Sequence, residues 1–454
     1  MVWLKRKHAD WAGKEKGWVV GVRMGWKGGG GVGAAVVLLG GACWLWSSHQ
    51  QLSKDWLAEW AIEVGSPPLQ LVEGLEWRWP PTPGLRRKRG LAGELGNCSQ
   101  LLSLEASYLD SGWSKDVWAA RDPHGRSMAV KVVNLEGRQM SDCTAPGPNC
   151  YAGPAKKLLR EIALLRRLAH PSIVQLLGYC IPREALTPPP STASPISQRL
   201  ALVTQLGEPL NLQLTERRFQ VLDSLTRLLV RLGGIRMADF RPAQFVLLPP
   251  DQRLAAVDLD DWDLEQPSCQ RNRPCPSLNA SHSAAPLNFS CNQGRCQGFN
   301  EAANLRSAYN RFFRHLLRPN APAYLLAKIE AILGGLGEGR WRGPKELETR
   351  MAELLSAYAA GPPALPPLPT DLRLLEGQAV GPASSDFVCL DSLSRSSCER
   401  SAASPDEAAA FCRAETDCAA FQWMRRRSWT GRVLVRYVRE AVPAKEEGAL
   451  LYLL

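Results

Sequence analysis

Four residues of this chain, Lys131, Glu161, Asp239 and Asp258, have types and places that suit one chemistry. Lys131 lies in an apolar run, Ser127-Met-Ala-Val-Lys-Val-Val133, and Glu161 is the lone acid of the amphipathic segment that follows. Asp239 and Asp258 are separated by one loop and one hairpin's length of chain. A cation, an acid able to hold it and two further carboxylates are what phosphoryl transfer needs. That reaction asks the protein for charge placed around a nucleotide and a metal ion rather than for covalent chemistry. Singly, each has an ordinary explanation: a solvated strand lysine, a surface helix acid, two turn or cap aspartates. Their order on successive elements is what points to function.

The elements that must position them follow from periodicity. Ser127 to Val133 alternates and is rich in β-branched residues, so it reads as a strand, with Val117 to Arg121 before it and a turn at Asp110-Ser111-Gly112. Pro154 opens a helix, Ala155 to Leu168, with Leu158, Ile162, Leu165 and Leu168 on one face. Strands follow at Ile173 to Leu177 and Leu200 to Gln205. A helix from about Arg217 to Leu232 repeats Phe219, Leu222, Leu225 and Leu229 and stops at Gly233-Gly234. Phe245 to Leu248 and Leu254 to Val257 form a hairpin around Pro-Pro-Asp.

This is the element order of a protein kinase, and it predicts an α+β, bilobal protein-kinase-like fold. In that frame Lys131 holds the α and β phosphates of ATP and Glu161 holds Lys131. Asp239, opening Asp-Phe-Arg-Pro-Ala-Gln, accepts the substrate proton. Gln244 and Asp258 are the ligands for Mg²⁺ or Mn²⁺, and Gly112 and Val117 belong to a degraded G-x-G-x-x-G-x-V loop over the phosphates. Several positions depart from the pattern. Asp110 and Lys115 replace loop glycines, Met237 and Ala238 replace the usual His-Arg, and Asp260 replaces the glycine of D-F-G. Asp260 and Asp261 add carboxylates beside the metal site, which either compensate for these departures or form a solvated acidic turn, the turn being the preferred reading.

More specifically, the chain from about Leu101 to Leu454 resembles the vertebrate lonesome kinase family. The resemblance rests on Leu158-Leu-Arg-Glu-Ile-Ala-Leu-Leu165, His170-Pro171, Leu177-Gly-Tyr-Cys180, Asp239-Phe-Arg-Pro-Ala-Gln-Phe-Val246, Asp258-Leu-Asp-Asp261 and Gly294-Arg-Cys-Gln-Gly-Phe-Asn-Glu301. It implies a secretory-pathway kinase that uses ATP, phosphorylates tyrosines of secreted and extracellular-matrix proteins and acts in development. It also implies that the Gln and the Asp-Leu-Asp-Asp run are compatible with activity. The residues alone do not separate tyrosine from Ser/Thr acceptors. A secreted pseudokinase that binds or activates a partner is the alternative.

The 454 residues exceed one ordinary domain, and 45% hydrophobic against 22% charged residues is a globular composition. The net charge of +11 comes from scattered residues without a nucleic-acid motif, so no nucleic-acid partner is expected. Seven Lys or Arg in the first 27 residues precede an uncharged stretch from Gly28 to Ser53. Residues 1–53 therefore read as a basic leader with a signal or signal-anchor segment, the only membrane contact expected, which leaves the rest lumenal. Residues 54–99 read as a linker whose Arg86-Arg87-Lys88-Arg89 is either a processing site or a solvated charge run.

Of thirteen cysteines, twelve lie outside the apolar stretch, an even number suited to disulfides in an oxidising compartment. The candidates are Cys143, Cys150, Cys269, Cys275, Cys291, Cys296, Cys389, Cys398, Cys412 and Cys418. Zinc is the rival, weakened by scarce His and no paired C-x-x-C. Sequons at Asn97, Asn279 and Asn288 are the expected glycosylation sites and agree with residence in the Golgi lumen and outside the cell.

The kinase-like domain is expected over 100–360. Within it Cys269 to Cys296 takes the place of the activation loop, held by disulfides, the simplest pairing being Cys269 with Cys275 and Cys291 with Cys296. A Pro- and Gly-rich linker over 361–378 precedes a small Cys-rich extension, 379–454. The extension is either a PAN- or apple-like binding module or a stapled addition packed on the C-lobe.

Overall fold

The computed structural model describes residue 98 and residues 104–454, apart from 123, 144–147, 191–197, 211–214, 251, 280–285 and 366–371. The leader, the basic run at Arg86–Arg89 and Asn97 lie outside the described residues, and among those described no helix is long and apolar enough to cross a membrane.

The first lobe is an antiparallel sheet of β1 (Glu105–Ser111), β2 (Lys115–Arg121), β3 (Ser127–Val133), β4 (Leu176–Cys180) and β5 (Ala201–Gln205), ordered β1-β2-β3-β5-β4. Met128, Val130 and Val132 fill one face, as the period-two pattern requires. The strand expected at Ile173 begins three residues later, because Ile173 instead bridges to Ala256 of the other lobe. Helix α1 (Pro148–Arg167) starts earlier than Pro154, which lies inside it, and the Cys143–Cys150 disulfide ties down the extra N-terminal turns. Leu158 and Ile162 of α1 are fully buried.

The second lobe is mainly helical. Helix α2 (Thr215–Leu232) buries Phe219, Leu222, Leu225 and Leu229 at helical spacing. The hairpin of β6 (Phe245–Leu248) and β7 (Arg253–Ala256) packs beside it. Helix α3 (Phe299–Ala308) runs into a π-helical turn, Tyr309–Phe313, whose Phe312 sits against Phe240 and Phe245 beneath the Asp239 loop. Helices α4 (Leu326–Gly337) and α5 (Pro344–Ala360) complete the lobe. The two lobes make the α+β, bilobal protein-kinase-like fold expected from the element order.

The extension is a sheet of β8 (Arg373–Val380), β9 (Cys398–Ala402), β10 (Ala420–Arg427), β11 (Val433–Glu440) and β12 (Pro443–Leu453), with the two-residue strand Ser385–Asp386 on β11. Helix α6 (Pro405–Ala414) covers one face, capped by Ser404, whose side chain accepts from the Glu407 N–H. Its first strand, β8, lies partly within the stretch read as linker, because Leu374 and Leu375 find β-partners in β12. The extension is docked on the helical lobe. The buried Arg432 guanidinium donates to the Tyr358 carbonyl at 2.6 Å and to Glu407 at 2.6 Å, and the Thr215 N–H donates to Asp391 at 2.7 Å.

Among the described residues six disulfides form: Cys98–Cys180, Cys143–Cys150, Cys269–Cys291, Cys275–Cys296, Cys389–Cys398 and Cys412–Cys418. Two points correct the sequence reading. The pairing Cys269–Cys275 with Cys291–Cys296 does not occur. Residues 267–269 lie alongside the Cys291–Cys296 hairpin, with Cys269 N–H donating to Gly294 and Cys296 N–H to Pro267. Each early cysteine therefore meets a late one, and the two bridges interleave. Cys98 and Cys180, outside the close pairs, join across 82 residues. The sulfurs of Cys269, Cys275 and Cys296 lie within 4.8 Å of one another, but as disulfides they offer no thiolate to a metal.

Candidate active site

Register decides which side chains of the sheet face the cleft. Val117 is directly opposite Lys131, and Lys115 opposite Val133, so Lys115, Val117 and Lys131 share one face. Both ammonium groups then meet α1. Lys131 Nζ donates to Glu161 Oε1 at 2.7 Å and also to the Val257 carbonyl, while Lys115 Nζ donates to Glu161 Oε2 at 2.6 Å. Glu161 is wholly buried and divides its two oxygens between two lysines. The Lys131–Glu161 pairing expected from the sequence is present.

Lys115 is the residue that sequence reasoning missed. Its Nζ also reaches Asp258 Oδ1 at 2.6 Å and Asp260 Oδ2 at 3.1 Å. Asp260 is buried, not a solvated turn, which corrects that expectation; only Asp261 behaves so, pairing with Lys157 at 3.0 Å. Two departures from the kinase pattern, a lysine for a loop glycine and an aspartate for the D-F-G glycine, are thus one ion pair. The signal available in sequence was parity: Lys115 stands two residues before Val117, on the same strand face.

The electrostatics follow from this packing. Burial works against the charged form of Lys115, but Glu161, Asp258 and Asp260 outweigh it and hold its pKa above the usual lysine value. Burial pushes Asp258 up, yet Lys115 and Lys131 together keep it well below the ordinary carboxylate range. Asp260 is pushed up to about 6 by burial and by the charges of Asp258, Asp261 and Glu161, against the pull of Lys115.

The second carboxylate, Asp239, sits on the loop before β6. Arg241 Nε donates to Asp239 Oδ1 at 2.5 Å, Arg241 Nη2 donates to Oδ2, and Gln244 Nε2 donates to Oδ2 at 2.6 Å. The Val257 N–H donates to the Gln244 carbonyl at 3.0 Å, which fastens the Asp239 loop beside the strand leading to Asp258. Met237, standing where His is customary, is held differently: its N–H donates to Asn304 of α3 at 3.0 Å, and Asn304 Nδ2 donates to the Ile235 carbonyl. Asn300 likewise joins Gly234 to Glu265. These two buried asparagines tie the segment before Asp239 to α3, and the sequence reading did not single them out.

Gly112 lies at the hairpin tip, its N–H donating to the Lys115 carbonyl at 2.7 Å and its carbonyl accepting from Asn134 at 2.9 Å. Asn279 and Asn288 are both exposed on the disulfide-bonded segment. The residues present fit a divalent cation. Carboxylate oxygens of Asp258 and Asp260 already converge on a cation, the Lys115 ammonium, and Gln244, donating through nitrogen, keeps its side-chain oxygen as an acceptor. Oxygen ligands of this kind suit Mg²⁺ or Mn²⁺.

No family model matches the sequence. The chain is 33% identical to the human extracellular tyrosine-protein kinase PKDCC over a 375-residue alignment that covers 79% of this chain and 72% of that protein. A solved apo pseudokinase structure is similar over 59% of this chain and 97% of its own, at 13% identity and a TM-score of 0.34, too slight a likeness to support a conclusion.

Proposed function

Because the chain belongs to the family of the extracellular tyrosine-protein kinase PKDCC, we propose that it is an ATP-dependent protein kinase of the Golgi lumen and extracellular space. It passes the γ-phosphoryl group to tyrosine hydroxyls of secreted and extracellular-matrix proteins. The observation that carries this reading is the buried Lys131–Glu161 pair at 2.7 Å, joined through Lys115 to Asp258. Lys131, fixed by Glu161, binds the α and β phosphates. Asp258, Asp260 and Gln244 hold Mg²⁺ or Mn²⁺, which when bound neutralises charge on the transferring phosphoryl group. Asp239 receives the proton of the acceptor hydroxyl. Tyrosine as acceptor, and the extracellular address, come from the relative's name; the six disulfides and the exposed Asn279 and Asn288 are in keeping with an oxidising, glycosylating compartment.

A second reading, a secreted kinase-like protein that binds a partner without transferring phosphate, is favoured by one observation. Both candidate carboxylates are engaged internally, Asp239 by Arg241 and Asp258 by Lys115. Phosphate transfer from labelled ATP with Mg²⁺ or Mn²⁺, comparing wild type with Lys131→Met and Asp258→Ala, separates the two. Transfer by wild type that both substitutions abolish supports the kinase, and phosphoamino-acid analysis then names the acceptor. Folded wild-type protein that transfers nothing with either metal supports the binding protein.

A further inference from the structure

The ion pair between Lys115 and Asp260 calls for an explanation, because neither residue belongs to the usual phosphotransfer set and both are buried. We propose that Lys115 is a built-in counter-cation of the Asp258 and Asp260 carboxylates, one that a divalent cation must displace, and that the displaced ammonium then faces the nucleotide phosphates beside Lys131. The second half rests on the nucleotide-binding reading above; the first half does not.

Charge and position both support it. Lys115 Nζ contacts oxygens of three carboxylates, Glu161, Asp258 and Asp260, at 2.6, 2.6 and 3.1 Å. A divalent ion ligated by Asp258 and Asp260 needs the same oxygens, and it repels an ammonium at that distance, so the two compete for one place. Displacing Lys115 also takes its ammonium from Glu161 Oε2 but leaves the Lys131–Glu161 pair in place. Glu161 keeps Lys131 through its other oxygen, so the lysine that anchors the cleft loses nothing. The flexible four-carbon stem of Lys115 swings without backbone movement, and its strand face, shared with Lys131 and Val117, is the cleft face. Asp260 then has a clear purpose. A lysine buried at a glycine position is costly unless paired, and an aspartate at the neighbouring glycine position supplies the partner.

The test is Mn²⁺ binding to the full-length protein without nucleotide, followed by paramagnetic resonance, for wild type, Lys115→Met, Lys115→Gln, Lys115→Met/Asp260→Asn and Lys115→Met/Asp258→Asn. Lys115→Met is expected to bind Mn²⁺ about tenfold more tightly than wild type, since a competing charge at contact distance is gone. The Lys115→Met/Asp260→Asn protein, which gives up one carboxylate ligand together with the competing cation, is expected to bind Mn²⁺ less tightly than Lys115→Met; Lys115→Gln, which keeps a polar side chain at this place, carries the comparison with wild type if Lys115→Met fails to fold. Adding Asp258→Asn should erase the gain. Equal Mn²⁺ affinity in wild type and the folded Lys115 single variants, or a gain that survives Asp258→Asn, overturns the proposal. A fluorescent ATP analogue with Mn²⁺ supplies the second readout, with about tenfold weaker binding expected for Lys115→Met. Wild type that binds no analogue while the Mn²⁺ gain holds defeats the nucleotide reading and the ammonium's second role, and leaves the counter-cation standing. Analogue binding by wild type without any Mn²⁺ gain defeats the counter-cation alone.

Discussion

The guanidinium of Arg241 grips both carboxylate oxygens of Asp239, two residues before it in the chain. Burial alone would push Asp239 up, but hydrogen bonds from Arg241 and Gln244, with the Arg241 charge, hold its pKa below the usual aspartate value. A carboxylate so stabilised stays ionised into the acid range.

Removing the guanidinium raises the Asp239 pKa, so the acid limb of a pH profile, where the base becomes protonated, moves to higher pH. Phosphate transfer by Arg241→Ala measured between pH 4.5 and 8 should therefore fall away at a higher pH than that of wild type. An unmoved acid limb would mean that Asp239 is not the group that titrates.

Glu161 serves two lysines from a fully buried position. Glu161→Gln leaves Lys131 without a carboxylate partner, and breaking a buried pair from one side costs about 3 kcal/mol. Chemical denaturation should show that loss of stability together with loss of nucleotide binding. A variant with the wild-type midpoint would show the pair to be solvated.

The bridges of the segment from Cys269 to Cys296 interleave, Cys269 with Cys291 and Cys275 with Cys296. Non-reducing peptide mapping should recover these two linkages, and recovery of Cys291 joined to Cys296 would contradict the fold of this segment.

Cys98 and Cys180 close a long loop, so replacing both with Ser should cost about 4 kcal/mol by loop-closure entropy. The measurement is the denaturation midpoint of the double variant against wild type at equal redox potential. A change under about 1 kcal/mol would mean that the unfolded chain is restrained in some other way.

Arg432 of the extension donates to the Tyr358 carbonyl of the helical lobe and lies over the Tyr358 ring at 4.5 Å, while Ser401 and Glu407 of the extension hold its guanidinium in place. Arg432→Ala should lower stability by about 3 kcal/mol and open the chain between lobe and extension to proteolysis. Protease resistance equal to that of wild type would show that apolar packing holds the extension by itself.

Much of the site was legible in the sequence because its residues sit on elements that local patterns declare. The strand Ser127–Val133 is found at the expected residues, as is Phe245–Leu248, and α2 begins two residues before its expected start. Alternation and helical spacing are short-range signals, and Lys131, Glu161, Asp239 and Asp258 each fall at a recognisable place on them. The sheet of the extension was only half legible, since β8 and β12 owe their strand character to each other across 63 or more residues of chain.

By itself, then, the sequence determined the succession of elements, the α+β class and the four residues around which phosphoryl transfer would be organised. Only the tertiary structure decided the partners. Lys115 reads as a lost glycine and Asp260 as a solvated turn until β2 and the Asp258–Asp260 turn, 143 residues apart at the Lys115–Asp258 bond, are brought to one buried place. The cysteine pairing was decided in the same way, by which chain segments lie side by side. Local periodicity reports the face a side chain takes; which charge or sulfur it meets on that face depends on contacts between segments distant in the chain, where burial makes an unpaired charge costly and so enforces the pairing.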